Sequence, residues 1–123
     1  MSLNKVCYIN DTNEIIMNYL YFKQIATYEI YDIIIEHIIN TITTCLLNDK
    51  LIKVHIYINS FTLTEFEKHL HFITKLCKIL TIQFPDKLDN CFIYNSPFFI
   101  SQIYNILFAV IDKKTQQKIK LVS

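Results

Sequence analysis

Four cysteines are the first residues to consider for metal or redox chemistry, and they lie at Cys7, Cys45, Cys77 and Cys91. Structural zinc sites and redox motifs place cysteines only a few positions apart. No two cysteines lie that close here, so the sequence indicates neither a zinc motif nor a tight disulfide framework. We expect buried free thiols in a reducing compartment, with no metal and no other cofactor.

The histidines do not form a catalytic or metal-binding pattern either. His69 and His71 lie two positions apart in a predicted helix, so they point to different sides and cannot chelate one metal. His37 has no partner in the sequence, and its simplest interpretation is a boundary residue on a packed helix.

Enzymatic motifs are also missing from the sequence. The chain contains no glycine, which excludes the P-loop, the dinucleotide-binding fingerprint and the G-x-S-x-G nucleophile elbow. No nucleophile, base and orienting group occur at a recognisable spacing. We therefore expect a protein that is not an enzyme.

The composition indicates one apolar domain over residues 1–123. This length is sufficient for one core but too short for two, and hydrophobic residues make up 52% of the chain. Twelve basic and eleven acidic residues leave a formal charge of +1 without a massed basic stretch, so a nucleic-acid partner is not indicated. The start of the chain lacks a secretory signal pattern, which predicts a cytoplasmic location.

Strand-like and helix-like patterns alternate along the chain. In the clearest strand, Val54, Ile56 and Ile58 point to one face. Strands are predicted over 5–10, 51–59, 91–94 and 118–122. Helices are predicted over 13–24, 28–47, 65–83 and 97–111, the third with a capping box at Thr64 and Glu67. This order indicates an α/β fold with a mixed or largely parallel sheet of about four strands covered by helices.

An uncharged run from 91 to 111 is long enough to suggest a membrane span. Asn95, Ser96 and Pro97 interrupt it, because proline lacks a backbone donor and biases the preceding residue away from helix. A short strand, a turn and an apolar helix over 97–111 fit the run better.

That helix is apolar around most of its circumference. Its one narrow strip of polar or small residues comprises Ser101, Gln102, Asn105 and Ala109. An ordinary surface helix is apolar only where it faces the core, so something besides the sheet must cover the outer side. A buried helix, a dimer interface and a bound apolar ligand each explain the pattern, and the residues alone leave these alternatives open.

Three segments around this helix form a pattern in several parts: FPDKL at 84–88, FIYNSPF at 92–98 and VIDKKT at 110–115. In order, they resemble the aromatic-Pro-Glu-Arg-hydrophobic element, the strand with Asn-Ala-Pro-aromatic, and the Phe-Leu-Asp-Pro-x-Thr element of CRAL-TRIO lipid-binding domains. That family includes the phosphatidylinositol-transfer proteins and the retinaldehyde- and tocopherol-binding proteins. The spacing between the three segments is preserved without a gap, whereas residues 5–83 agree only in the order of elements.

The resemblance implies a CRAL-TRIO fold in which the helix over 97–111 is a mobile gate above an acyl-chain cavity. It also implies binding and transfer of a phospholipid, foremost phosphatidylinositol or a phosphoinositide. The family's headgroup positions correspond here to Asp86, Thr115 and Lys118. The lysine offers charge and the threonine a donor to a phosphodiester, while the carboxylate accepts from inositol hydroxyls. We expect acyl-chain contacts from the gate residues Phe98, Phe99, Ile103, Ile106, Leu107 and Val110.

The resemblance also bears on partners. Family members usually carry an N-terminal helical bundle, whereas this chain begins at a predicted strand, as a minimal domain. We therefore expect a homodimer in which a second copy covers the gate or the cavity edge. Transient contact with membrane surfaces is expected of a cytoplasmic protein that is peripheral to membranes. The alternative is a non-catalytic protein-interaction module on the same fold, with no lipid bound.

Overall fold

A five-stranded β-sheet runs through the computed structural model, which describes residues 2–122. The strands lie in chain order: β1 (Cys7–Ile9), β2 (Ile15–Asn18), β3 (Ile52–Tyr57), β4 (Leu88–Tyr94) and β5 (Ile119–Val122). β1 is antiparallel to β2, and the other neighbouring pairs are parallel. The predicted α/β fold with a largely parallel sheet is confirmed, with five strands in place of about four.

Seven helices precede or connect these strands within residues 2–122. They are α1 (Leu3–Val6), α2 (Tyr19–Ile25), α3 (Tyr31–Cys45), α4 (Leu63–Lys68), α5 (Leu70–Gln83), α6 (Ile100–Leu107) and α7 (Lys113–Gln117). In this described part of the chain, no helix combines the length and the hydrophobicity that a membrane crossing requires.

The additional strand is β2, in a segment where the sequence predicts a helix over 13–24. β2 pairs in parallel with β3, with Ile15 opposite Val54. Adjacent β-branched side chains favour this extended backbone. Helix α2 begins only after Asn18, whose side chain accepts a hydrogen bond from the backbone N–H of Leu20. The prediction was wrong here because pairing with a distant strand overrides the local helical spacing.

The predicted strand over 5–10 is only partly right, since α1 occupies its first residues and β1 begins at Cys7. The helix predicted over 28–47 and the strand predicted over 51–59 are confirmed as α3 and β3. α3 buries an isoleucine stripe at helical spacing, comprising Ile34, Ile35, Ile38 and Ile42.

The capping box that precedes α4 lies at Thr62 and Glu65, not at Thr64 and Glu67. The Thr62 hydroxyl accepts from the Glu65 N–H at 3.1 Å, and the Glu65 carboxylate accepts from the Thr62 N–H at 3.4 Å. Both pairs have the spacing of a capping box. Sequence spacing alone therefore does not choose between them.

The helix predicted over 65–83 is divided at His69 into α4 and α5. His69 leaves helical geometry, with φ −102° and ψ 11°. Its buried ring hydrogen-bonds through Nδ1 to the Tyr31 hydroxyl at 2.6 Å and lies edge-on to Phe22 at 5.0 Å between ring centroids. These contacts hold the ring at the junction of the two helices.

The gate helix predicted over 97–111 is shorter at both ends, because α6 spans only Ile100–Leu107. After it, the side-chain amide of Gln116 donates to the backbone carbonyls of Phe108 at 3.2 Å and Ile111 at 2.6 Å. Carbonyls beyond a helix end need such partners. The amide of Gln116 thus stabilises a turn where the sequence predicts four more residues of helix.

Positive φ angles occur at four non-glycine residues within 2–122: Asn13, Ser60, Asp86 and Asn95, with φ from 57° to 62°. Asparagine tolerates this left-handed geometry through local hydrogen bonding. Asp86 tolerates it for the same reason, whereas Ser60 adopts it where a glycine is ordinarily favoured. A chain without glycine therefore accepts some backbone strain at its turns.

One face of the sheet packs against the helices and forms the main apolar core. A second, smaller cluster is separate from this core and consists of Phe66 of α4 with Phe99 and Ile103 near or within α6. On the opposite face of the sheet, His55 stacks on Phe92 at 5.3 Å between ring centroids. α6 is therefore held mainly by the second cluster.

Candidate functional site

A cavity of about 550 Å³ lies between the helices and the inner face of the sheet. Ligand-binding cavities commonly have volumes of roughly 300–1,000 Å³. Its floor consists of alternate strand residues, among them Met17, Val54, Ile56, Ile58, Cys91, Ile93 and Ile119. The face predicted for Val54, Ile56 and Ile58 is therefore the floor of this cavity.

The walls of the cavity are apolar and carry no charge at neutral pH. Apolar residues of α3 and α5 form them, including Ile38, Ile42, Phe72, Ile73, Leu76 and Leu80. Burial raises the pKa of the Cys77 thiol to about 11 and that of Cys91 to about 12, so both stay protonated. Such an interior suits hydrocarbon better than a charged substrate.

Helix α6 and the turn after it close one side of the cavity. The residues that line it follow the order i, i+3, i+4, i+7, i+8 and i+11: Ile100, Ile103, Tyr104, Leu107, Phe108 and Ile111. This is the spacing of one helix face. Of the predicted acyl-chain residues, Ile103 and Leu107 lie on this face, whereas Ile100, Tyr104, Phe108 and Ile111 were missed although their spacing is visible in the sequence.

The other predicted acyl-chain residues lie elsewhere. Phe99 is buried in the second cluster against Phe66. Phe98 is 97% exposed and Ile106 is 46% exposed, so both lie on the outer side. Val110 is half-buried and is not among the lining residues.

Polar side chains lie along one edge of the cavity, next to the amino-terminal ends of β4 and β5. Asp86, Lys87, Asp112 and Thr115 line the cavity there, and we call these four residues the polar edge. The Thr115 hydroxyl donates to a carboxylate oxygen of Asp112. The structure thus brings the predicted Asp86 and Thr115 to one edge, and adds Lys87 and Asp112 from the same sequence motifs.

Lys118, the third predicted headgroup residue, is half-buried and does not line the cavity. α7 ends at Gln117, and the Lys118 carbonyl accepts the Cys91 N–H at 2.8 Å as the chain enters β5. Lys118 caps the carboxyl end of α7, and its N–H donates to the Thr115 carbonyl at 3.0 Å, so the two residues share the last helical turn. Lys87 is the lysine that lines the cavity at this edge.

The end of the cavity opposite the polar edge is closed by hydrogen-bonded side chains. Tyr19 lines the cavity, and its hydroxyl donates to Glu65 at 2.6 Å. His69 is 2% exposed, and burial lowers its pKa, so the ring is neutral at neutral pH. Within residues 2–122, no three histidine, cysteine or carboxylate side chains are placed to hold a metal ion.

A largely parallel α/β sheet with an apolar cavity and one polar edge defines a domain built to enclose an apolar ligand. The sequence profile of the CRAL/TRIO domain matches residues 18–123. The chain therefore belongs to the CRAL/TRIO family, a family of lipid-binding domains, as its motifs predict.

A solved structure has the same fold. The crystal structure of Sfh5 aligns with a TM-score of 0.76 at 12% sequence identity, over 94% of this chain and 46% of that chain. At this identity the match shows a shared fold, and this chain spans about half the length of Sfh5. Among curated protein sequences, none matches significantly.

Proposed function

We propose that this chain binds a phospholipid, with acyl methylenes in the cavity and the headgroup at the polar edge. The observation that carries the proposal is that a single apolar cavity of about 550 Å³ reaches two carboxylates, a lysine and a threonine. Membership of the CRAL/TRIO family supports a lipid as the ligand. At about 0.8 kcal/mol per buried methylene, ten methylenes contribute roughly 8 kcal/mol, the free energy of a micromolar complex.

Phosphatidylinositol or a phosphoinositide is the headgroup that the proposal favours. Asp86 accepts hydrogen bonds from inositol hydroxyls, and Lys118 supplies positive charge to the phosphodiester. Thr115 donates to a phosphate oxygen after its hydroxyl leaves Asp112. Lys87, which lines the cavity where Lys118 does not, is a second cation for the same phosphate.

The headgroup assignment is tested by transfer of phosphatidylinositol between vesicles. Replacing Thr115→Ala together with Lys118→Ala should slow transfer about tenfold or more, since hydrogen bonds to charged groups contribute roughly 1.5–3 kcal/mol. Thr43→Ala with Lys50→Ala is the matched control, because both residues are exposed and lie outside the cavity. Transfer that is unchanged in the first variant removes the assignment.

The single variants Lys87→Ala and Lys118→Ala separate the two lysines. The lysine that contacts the phosphate is the one whose loss slows transfer. If neither loss has an effect, phosphate recognition by these lysines is contradicted.

The lipid itself is identified by mass spectrometry of material that co-purifies with the protein under native conditions. We expect a phospholipid, with phosphatidylinositol enriched over phosphatidylcholine. Recovery of no lipid, together with no transfer between vesicles, contradicts lipid binding as a whole.

The exposed side of α6 is proposed to contact the membrane surface during lipid exchange. Ile106 of α6 and Phe98, two residues before the helix, are exposed apolar side chains, which suits insertion between headgroups. A homodimer that covers the same surface is an alternative, and sedimentation as a monomer at micromolar concentration contradicts it. A protein-interaction module without lipid is the other alternative, and it requires stabilisation by a protein partner in place of lipid.

A further inference from the structure

The ring of His69 is buried, yet only one of its two nitrogens has a hydrogen-bond partner. Nδ1 is hydrogen-bonded to the Tyr31 hydroxyl at 2.6 Å, and within residues 2–122 Nε2 has no partner. His69 is only 2% exposed, and buried polar groups in proteins are almost always hydrogen-bonded. Nε2 therefore needs a partner that the described part of the chain does not supply.

The free nitrogen faces the cavity. His69 lines the cavity, whereas Tyr31, which holds Nδ1, does not, so the ring turns its other side toward the cavity. In the part of the chain that the structure describes, the only partnerless side-chain nitrogen or oxygen that is closed to water is the Tyr104 hydroxyl. Nε2 of His69 is therefore open to a space that at least a water molecule can enter.

This nitrogen is a hydrogen-bond donor. Burial, and then the charge of Lys68, lowers the pKa of His69, so the ring is neutral at neutral pH. A neutral imidazole has one N–H and one bare nitrogen. The Tyr31 hydroxyl has no other acceptor within residues 2–122, so it donates to Nδ1 and the ring proton lies on Nε2. The partner that Nε2 needs is thus an acceptor oxygen.

A second donor lies at the same end of the cavity. Asn18 lines the cavity at the carboxyl end of β2. Its side-chain oxygen accepts the Leu20 N–H at 3.0 Å, and among the described residues its NH₂ group has no acceptor. The walls between this end and the polar edge are apolar, so an oxygen that enters the cavity finds its donors only at its two ends.

The two ends are separated by the length of β3. Asn18 lies opposite Tyr57 at the carboxyl end of that strand, and Ile52 lies opposite Leu88 next to the polar edge. Five steps along a strand rise about 17 Å. A lipid whose headgroup is held at the polar edge therefore reaches His69 only with the far part of an acyl chain.

We propose that Nε2 of His69 donates a hydrogen bond to an uncharged oxygen near the end of an acyl chain, and that the cavity thereby favours phospholipids with an oxygenated tail over those with a plain one. A hydroxyl or a carbonyl fits this donor, whereas a carboxylate would have to be desolvated in an apolar interior. The inference rests on the proposed lipid-binding function. It gives His69, which the headgroup site does not use, a role in the choice of the tail.

The test offers two forms of phosphatidylinositol in equal amounts in mixed vesicles. One form carries a hydroxyl at the end of one acyl chain, and the other has the same chain without it. Mass spectrometry quantifies the lipid recovered with the protein. The ratio of hydroxylated to plain lipid should be about fivefold greater on wild type than on His69→Phe, which is the factor that one neutral hydrogen bond produces. An equal ratio on both proteins overturns the inference.

His71→Phe is the matched control, because His71 is exposed and does not line the cavity. Its ratio of hydroxylated to plain lipid should equal that of wild type, and a ratio that falls as far as in His69→Phe contradicts the inference.

A measurement on wild type alone decides the matter if His69→Phe does not fold. The nitrogen resonance of His69 Nε2, measured by NMR, should differ between protein loaded with the hydroxylated lipid and protein loaded with the plain lipid, while that of His71 stays the same. Identical Nε2 resonances with both lipids, as expected if water occupies that end of the cavity, overturn the inference alone. Uptake of neither lipid by wild type overturns the proposed function and this inference with it.

Discussion

Phe66→Ala should release helix α6 from the second cluster while leaving the sheet folded. Phe66 is 2% exposed and belongs, with Phe99 and Ile103, to the cluster that is separate from the main core. Its ring also lies edge-on to Phe61 at 6.3 Å between centroids. The lost contacts are therefore those that hold α6, not those between the strands.

The expected size follows from the burial of this ring. Removing a buried phenylalanine side chain loses about 1.5–3 kcal/mol of transfer free energy. The lost aromatic contact adds about 0.5–1.5 kcal/mol, and with the residual cavity the total is about 3–5 kcal/mol. Because 1.4 kcal/mol is a factor of ten, the opening equilibrium of α6 should shift by at least about a hundredfold.

Native-state hydrogen exchange measures this shift for each amide. In Phe66→Ala, the amides of α6 should exchange at least about a hundredfold faster, while those of β3 and β4 change little. Phe72→Ala is the matched control, because Phe72 is 4% exposed in the main core and stacks on Phe22 at 4.9 Å. That variant should accelerate exchange throughout the sheet.

The reasoning is refuted if Phe66→Ala accelerates the amides of β3 and β4 as much as those of α6. In that case the two clusters unfold as one unit. Unchanged exchange in α6 refutes it as well, since the cluster would then not hold the helix.

Two further predictions concern a turn and the outer face of the sheet. Ser60→Gly should raise the free energy of unfolding by about 0.5–1 kcal/mol, because Ser60 has φ 62°. Ser96→Gly is the control and should lower the free energy of unfolding by a similar amount. Both are measured by urea denaturation, and a lower free energy of unfolding in Ser60→Gly contradicts strain at Ser60. Hydrogen bonds from His55, and then from Thr12, hold the pKa of Glu14 below its ordinary value of 4.5. Glu14 therefore stabilises the fold above that pH, and this contribution is lost as the pH falls through the lowered pKa. The stability difference between wild type and Glu14→Gln should accordingly shrink in acid, and a difference that grows below pH 4.5 contradicts the assignment.

Strong periodicity made α3 and β3 predictable from the sequence. The isoleucines of α3 recur at three and four residues, and β3 alternates over six residues, so one local pattern describes each element. β2 has only four residues, and the adjacent Ile15 and Ile16 make both of its faces apolar. Its conformation depends on pairing with β3, which no local pattern records.

The site was predictable only in part for a related reason. Helix α6 is apolar on nearly every side, so hydrophobicity does not show which side faces a cavity; the placement of α6 over the sheet decides it. Spacing places Thr115 and Lys118 on one helical turn, but it does not show that only Thr115 lines the cavity. Asp86, by contrast, lies two residues before β4 in the sequence, so its position at the start of that strand was predictable.

The floor of the cavity extends along strand β3. Residues 52, 54 and 56 follow one another along β3, residue 58 comes just after the strand, and alternate residues of a strand stand about 6.6 Å apart. Ile52 is nearest the polar edge and Ile58 is farthest from it. The cavity is therefore elongated along β3, and an extended apolar ligand fits it only with its long axis along that strand.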